Sequence, residues 1–284
     1  GIEPPIPGHP TEEVKRMYFG EVTDPNIRHI FRDAGDFIVR PLKCGKFTLY
    51  AYAIDGLTSG ADTSEYVIKP ITDNLQGDTI QALYTSALRG RVYNSVADPC
   101  RDLDTVALKL VNGFCVILFP EAGAIAFEVK TGEKRGISAP EVENTVKGAK
   151  DAFVETVRTN TSLLRRHLRS PELRLYETRV GRRSLTNVTV CYVEGITNPT
   201  LVGRMKKRLN DLDTDGFLSP AAVEEAVTGS RKTAFPLLQY TERADKFCAA
   251  LLEGRVGLIV DGIPLGYLAP VDLGYLMESQ EDWS

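Results

Sequence analysis

Three aspartates at alternate positions form the feature of this sequence that is closest to a metal site. The segment Asp211-Leu-Asp213-Thr-Asp215-Gly216 matches the start of a calcium-binding loop, in which alternate carboxylates converge on the ion and the glycine makes a sharp turn. The twelfth loop position is Ala222 rather than the bidentate glutamate that completes such a site. The pattern therefore favours an acidic turn between helices, and we predict no bound metal or cofactor.

Residues that commonly carry catalysis are sparse. The histidines are His9, His29 and His167, and none of them belongs to a recognisable nucleophile, metal or base motif. The sequence also lacks a phosphate-binding Walker loop and a Gly-x-Ser-x-Gly elbow. We therefore predict that the protein is not an enzyme.

Arginines are concentrated between residues 158 and 183, which predicts a basic surface. Such a surface is suited to anionic lipid head groups, where each charge contributes about 1 kcal/mol, or to carboxylates of a neighbouring subunit. The alternative is a solvated face with internal ion pairs, because exposed pairs contribute only about 0–1 kcal/mol and require no function. A second charged group lies near the last predicted helix, where helix capping and end-of-helix charge are the favoured explanation and an inter-domain or inter-subunit contact is the alternative. The candidate interface residues of both groups are Arg158, Arg165, Arg166, Arg169, Arg182, Arg183, Arg243, Glu253 and Arg255.

A nucleic-acid partner is not expected. The formal net charge is −4, whereas nucleic-acid binders are usually basic over the whole domain. Aromatic residues are also not interleaved with the arginines, as they are on surfaces that stack bases.

A group of polar residues follows the strand predicted over 188–194. The turn from Gly195 to Pro199 leads into a helix, so its backbone N–H groups could face a small anion or polar ligand at the end of the strand. A plain strand-to-helix connection capped by Asn198 is the favoured interpretation. Asn160 falls on the apolar side of a predicted helix, where its amide must find partners if it is buried. The candidate ligand-binding or structural polar residues are Asn160, Glu194, Gly195, Thr197 and Asn198.

The longest predicted helix begins at Ser138 and ends before Pro171. Ser138 and Glu141 form a capping box, and apolar residues then recur every three or four positions as far as Leu168. Strands are predicted over 173–181, 188–194 and 256–261. The last two are joined through helices, which favours a parallel pair and hence a βαβ unit.

The first half is also predicted to mix helices and strands. Strands are expected over 36–40, 47–55, 105–110, 114–119 and 122–130, with a hairpin turn at Asn112-Gly113. No longer internal repeat is visible. The predicted fold class is α/β, with two mixed α/β subdomains, the second containing the βαβ unit. The predicted divisions are a tail or linker over 1–10, an N-terminal subdomain over 11–136 and a C-terminal subdomain over 137–284.

The composition indicates a globular protein in a reducing environment. The chain has 284 residues, of which 43% are hydrophobic, enough to fill a core. Its five cysteines are scattered, which favours reduced thiols and a cytoplasmic environment. The most apolar window, 111–127, is interrupted by Pro120 and Glu121 and is too short to span a bilayer. The missing initial methionine suggests a domain taken from a longer protein.

Motifs over more than half of the chain resemble those of GerA-type spore germinant receptor A subunits. Their order and spacing carry the resemblance, since each motif alone is weak. They include Ile54-Asp55-Gly56-Leu57, Arg158-Thr159-Asn160, Leu163-Leu164-Arg165-Arg166, Tyr192-Val193-Glu194-Gly195, Asn198-Pro199, Thr241-Glu242-Arg243 and Val260-Asp261-Gly262.

The resemblance implies the N-terminal soluble domain of a multi-pass protein of the spore inner membrane, with this domain on the cytoplasmic (core) side. It implies receptor B and C subunits and other A subunits as partners, and signalling that leads to ion release. The function expected is non-catalytic, in receptor assembly and signal transmission during germination. The alternative is a small-molecule module that binds a nutrient germinant between the two subdomains.

Overall fold

The computed structural model describes residues 17–91, 95–129, 152–181, 183, 185–212 and 238–269. Within these ranges the chain forms two five-stranded antiparallel sheets with helices packed on both faces. The predicted mixed α/β fold class is therefore confirmed. The predicted division at residues 136–137 lies outside the described ranges and stays a prediction.

The first sheet has the strand order β1-β2-β4-β5-β3. One face packs against the helices that follow β2, and the other against the first helix and the helix that precedes β4. A π-helical turn, Ser64–Ile68, joins two of these helices, and a kinked segment, Ala87–Arg91, in which Gly90 has φ of +87°, follows a third. The elements are α1 (Asp24–Ile30), β1 (Phe37–Cys44), β2 (Phe47–Ile54), α2 (Gly60–Thr63), α3 (Lys69–Asn74), α4 (Ile80–Ser86), β3 (Ser95–Cys100), α5 (Leu103–Val111), β4 (Cys115–Phe119) and β5 (Gly123–Val129).

The second sheet has the strand order β6-β7-β9-β10-β8. Its two faces carry separate apolar clusters, one beneath the helix that follows β7 and one beneath the helices that precede β6 and β9. The elements are α6 (Val157–His167), β6 (Leu173–Val180), β7 (Thr186–Val193), α7 (Pro199–Asn210), β8 (Gln239–Thr241), α8 (Ala244–Leu252), β9 (Gly257–Val260) and β10 (Gly266–Leu268).

The two halves repeat one topology. Each begins with a helix and a hairpin, places its third strand at the sheet edge, and then adds a helix and a second hairpin. The registers also agree: Ala51 pairs with Ile117 in the first sheet, and Val190 pairs with Leu258 at the equivalent place in the second. This repetition is in strand pairing rather than in residue identity, which explains why no longer repeat is visible in the sequence.

The strand predicted over 105–110 is wrong. These residues belong to α5, whose amino end is capped by Asp102: the Thr105 N–H donates to the Asp102 carboxylate at 2.7 Å. Val106 and Leu110 are buried at helical spacing. Asn112-Gly113 ends this helix instead of turning a hairpin, and Gly113 adopts the left-handed region, with φ of +86°.

The long predicted helix begins later than expected. Helix α6 starts at Val157, and residues 152–156 are not helical. Phe153 N–H donates to Glu242 O at 2.8 Å, and the Asn160 amide bonds both the N–H and the C=O of Val154. These bonds hold the segment against other chain segments, so it cannot extend the helix. The predicted capping box at Ser138 lies outside the described residues.

The predicted parallel βαβ pair is also wrong. β7 and β9 are antiparallel, with Val188 opposite Val260. A single crossover helix would return the chain parallel to β7. Here the connection contains α7, β8 and α8, so the chain re-enters the sheet from the end at which β7 leaves it.

Candidate functional site

The two halves meet at a junction formed by residues 31–36 and the end of β2 from the first half, and by α6, β6 and the end of β7 from the second. Backbone hydrogen bonds connect the two halves at this junction: Gly35 N–H donates to Leu175 O, and Leu175 N–H donates to Asp33 O, both at 2.8 Å. β6 is an edge strand, and edge strands leave backbone groups open to pairing. The loop before β1 thus covers part of this edge.

A buried ion pair crosses the junction. Arg165 of α6 donates from Nε to Asp36 Oδ2 and from Nη2 to Asp36 Oδ1, each at 2.9 Å. Both side chains are fully buried, and Arg165 Nη1 also donates to Ser170 O at 3.4 Å. Two parallel charge-assisted bonds fix orientation as well as distance. The expectation of a surface-exposed Arg165 is therefore wrong, because its partner is a carboxylate of the same chain.

A second arginine of α6 reaches the end of β2. Arg158 Nε lies 3.1 Å from Asp55 Oδ2, and its Nη2 lies 2.9 Å from Glu177 Oε1, although the latter contact lacks hydrogen-bond geometry. Gly56 follows Asp55 with φ of +89°, and a Cβ at this position would lie 1.8 Å from Ser162 Oγ. A glycine is therefore required here for the two halves to approach so closely.

The third junction arginine is Arg174 of β6. It is buried, and it donates to Glu194 Oε2 at 2.8 Å and to Ile30 O at 2.5 Å. Arg32 of the first half forms an ion pair with the same Glu194 carboxylate. Glu194 thus binds cations from both halves.

A polar cleft of about 270 Å³ opens beside Glu194. Tyr192 donates its hydroxyl hydrogen to Asp33 Oδ2 at 2.7 Å, and Lys206 also bonds this carboxylate. Arg32 lines the cleft as well, so cations and anions from both halves face the same space. This combination suits a small ligand that carries both signs of charge.

The charged groups around the cleft change the pKa values of its carboxyl groups. Partial burial raises the pKa of Asp33, but hydrogen bonds from Lys206 and Tyr192 outweigh it, so this pKa lies below its ordinary value. Burial acts in the same way on Glu194, and Arg174 and Arg32 bring its pKa below the usual range. Both groups are therefore held in the charged form.

The predicted polar residues divide between the cleft and structural roles. Glu194, Gly195 and Thr197 line the cleft, although the Thr197 hydroxyl is occupied by the Val193 N–H at 3.1 Å. Asn198 caps α7 by accepting from Thr200 N–H at 2.9 Å, as the favoured interpretation has it. Asn160 is fully buried and closes the segment before α6.

The remaining predicted interface residues lie mostly at the surface. Arg243 is exposed and bonds the Asp245 carboxylate, Arg255 donates to Ala269 O at 3.2 Å, and Arg169 donates to Asn112 Oδ1 at 2.9 Å. Arg182 lies outside the described residues. That the exposed residues form an interface stays a prediction. These residues are Arg166, Arg169, Arg183, Arg243 and Glu253.

Several junction residues were not predicted from the sequence. Asp33, Asp36 and Lys206 stand in no motif, and Asp36 is separated from Arg165 by 129 positions. The one available signal was the pair of similar turns Ile54-Asp55-Gly56 and Val193-Glu194-Gly195. Read as a repeat, it would have pointed to both ends of the junction.

The incomplete calcium pattern is only partly described, since Asp213 and Asp215 fall outside the described ranges and Asp211 is exposed. Across the described ranges, His, Cys, Asp and Glu side chains form no group of three or more that could hold a metal ion. None of the helices in the same ranges is both long and apolar enough to cross a bilayer.

The fold is shared with a solved domain of a spore germinant receptor. It superposes on the crystal structure of the N-terminal domain of the A subunit of the Bacillus megaterium spore germinant receptor GerK3 with a TM-score of 0.65. The alignment covers 86% of this chain and 91% of that domain, at 24% sequence identity. This similarity concerns the fold alone.

Sequence comparison identifies the family. Residues 25–284 match the family described as Bacillus/Clostridium GerA spore germination protein. The chain therefore belongs to the GerA family, which confirms the resemblance noted from its motifs.

Three relatives from Bacillus subtilis illustrate the relationship. Stage V sporulation protein AF is 34% identical over 198 residues, spore germination protein A1 is 31% identical over 205, and "Uncharacterized membrane protein YfkQ" is 28% identical over 263. The matches cover 69%, 72% and 91% of this chain but only 40%, 42% and 50% of those proteins. The chain thus spans half or less of each of these relatives.

Proposed function

We propose that this chain is a non-catalytic domain of a germinant receptor A subunit that transmits a conformational signal between its two halves during spore germination. The observation that carries the proposal is the buried Asp36–Arg165 pair. It links the two sheets rigidly, so a displacement of one half is passed to the other. Ion-pair networks and packed side chains of this kind can carry energetic coupling between distant sites.

The proposed setting follows the family. The domain works on the core side of the spore inner membrane, within a complex that contains B and C subunits and other A subunits. The exposed arginines Arg166, Arg169 and Arg183 are the candidate contacts with carboxylates of these subunits or with anionic lipid.

The proposal is tested in spores whose full-length receptor carries Glu194→Gln. This change weakens the contacts with Arg174 and Arg32 while it keeps the size of the side chain. We expect slower germination at an unchanged receptor level. The control is Arg28→Gln, because the ion pair that the described residues form with Arg28 is a local one, with Asp24 on the same helix. Normal germination of Glu194→Gln spores would contradict the proposal.

A second function is favoured by the mixed charge of the cleft: direct binding of a small zwitterionic nutrient between the halves. Arg32 and Lys206 would receive an anionic group, and Asp33 and Glu194 a cationic one. Thermal denaturation of the domain with single amino acids tests this function. A ligand present at one hundred times its Kd stabilises the folded state by about 2.7 kcal/mol. Lys206→Gln should reduce the shift, and the absence of any shift would exclude this function for the nutrients tried.

A further inference from the structure

The first half contains a cavity that is separate from the cleft at the junction. It has a volume of about 350 Å³ and lies between the first sheet, α2 and the π-helical turn Ser64–Ile68. Its floor is made of small side chains, Ala51 and Ala53 of β2 and Cys115 of β4. Larger residues such as Leu49 fill the same apolar layer nearby. The alanines therefore leave a recess in an otherwise packed sheet face.

The second repeat shows what fills the equivalent place there. β2 and β7 have the same length and the same pairing with their neighbours, so Ala53 corresponds to Tyr192 and Ala51 to Val190. The Tyr192 ring occupies its recess, with Lys206 Nζ 5.3 Å from the ring centre. The cleft of the second repeat consequently lies further out, at the junction. Of the two spaces, the one in the first repeat has the small side chains of the sheet as its floor.

The same turn borders both spaces. Asp55 and Thr58 line the first cavity, and Glu194 and Thr197, their equivalents in the second repeat, line the cleft. Both spaces thus lie where the second strand of a repeat turns into a helix.

The walls indicate what the first cavity would bind. Ile38, Ile68 and Ala61 add to its apolar lining. Burial raises the pKa of the Cys115 thiol to about 12, so this group is neutral. Arg40 stands at the edge, where its only described hydrogen bond goes to Ser64 Oγ at 3.5 Å. Among the described residues no carboxylate lies within ion-pair distance of Arg40.

We propose that this cavity is a binding site for a small amphipathic monocarboxylate. Its apolar body lies over Ala51 and Ala53, and its carboxylate binds the Arg40 guanidinium. The planar guanidinium group matches a carboxylate because the two can form parallel hydrogen bonds. The volume falls within the usual range of small-molecule sites. Asp55 borders the cavity and pairs with Arg158 of the junction. The site stands independently of the role proposed above.

The test uses NMR titration of the isotope-labelled chain with hexanoate, and with 1-hexanol and acetate as probes of the apolar body and the anionic head alone. Hexanoate at millimolar concentration should shift the amide signals of Ala51, Ala53 and Ile68, and acetate should not. Ala53→Tyr, which introduces the residue of the second repeat, should abolish these shifts. Arg40→Gln should lower the affinity for hexanoate about tenfold, as the loss of a charge-assisted bond implies. The affinity for 1-hexanol should be unchanged.

The matched control is Lys43→Gln, which removes a cation from the opposite face of β1 and should leave the affinity for hexanoate unchanged. The proposal is overturned if wild-type protein shows no shifts, if the shifts persist in Ala53→Tyr, or if they appear around Glu194 and Lys206 instead. Equal weakening by Lys43→Gln and Arg40→Gln would also overturn it. If Ala53→Tyr does not fold, Ala61→Phe blocks the cavity from the helix side and decides the outcome.

Discussion

Asp36 and Arg165 lie 129 positions apart in the sequence and meet in a fully buried bidentate ion pair between the two sheets. Neither side chain has another charged partner at ion-pair distance among the described residues. A buried pair of this kind contributes little net stability compared with apolar residues, but the loss of one partner leaves a buried charge uncompensated. We therefore expect the pair mainly to specify one arrangement of the two halves.

Asp36→Asn should destabilise the domain by about 3–5 kcal/mol, because it leaves the Arg165 guanidinium buried without its counter-charge. Urea unfolding of the isolated domain measures the effect. The double variant Asp36→Leu with Arg165→Met should lose less free energy of unfolding than the sum of the losses for Asp36→Leu and Arg165→Met measured separately. Additive effects would show that the two residues do not interact. Arg166→Gln, on the exposed part of the same helix, should stay within about 0.5 kcal/mol of wild type.

Gly56→Ala should destabilise the domain by about 1–3 kcal/mol, because it combines left-handed backbone with a clash against Ser162. Thermal or urea unfolding checks this. Gly262→Ala separates the two causes, since Gly262 has φ of +91° but open space around its Cβ position. We expect the change at Gly56 to cost more. Equal costs would mean that the approach of α6 to this turn contributes nothing.

The free energy of unfolding should decrease at acidic pH, partly because Glu194 becomes protonated. Its pKa is below its ordinary value of 4.5 in the folded state, so the unfolded chain binds the proton first as the pH decreases. The contribution is thus present above about pH 4.5 and is lost as the pH falls through the lowered folded value. Glu194→Gln should reduce the difference in urea midpoint between about pH 6 and pH 3. An unchanged difference would show that Glu194 is not stabilised by Arg174 and Arg32.

Local patterns predicted much of the second sheet and of the hairpin β4–β5. The apolar runs at Cys115–Phe119 and Gly257–Val260 are bounded by turn residues and are buried as strands. Periodicity failed for α5, where Leu103–Val111 has strand-forming residues but a capped helical start. β3 contains Pro99 and gives no strand signal; it lies at a sheet edge, where proline is tolerated.

The candidate site was predictable only in part. Glu194 and its glycine were found because they lie in one short turn, and the arginines were found because they are dense. Their partners were not found, since Asp33, Asp36 and Asp55 are distant in sequence and are brought together by the packing of two repeats. The burial of Arg165 and Arg174 depends on this packing, so charge density alone suggested a surface.

The most direct test of transmission through the junction compares two arginines of α6. Arg158→Gln removes contacts with Asp55 and Glu177, whereas Arg166→Gln changes an exposed residue. The measurement is the germination rate of spores divided by the amount of receptor they contain. We expect Arg158→Gln to lower this rate and Arg166→Gln to leave it unchanged. An unchanged rate for Arg158→Gln would contradict the proposed role of the junction.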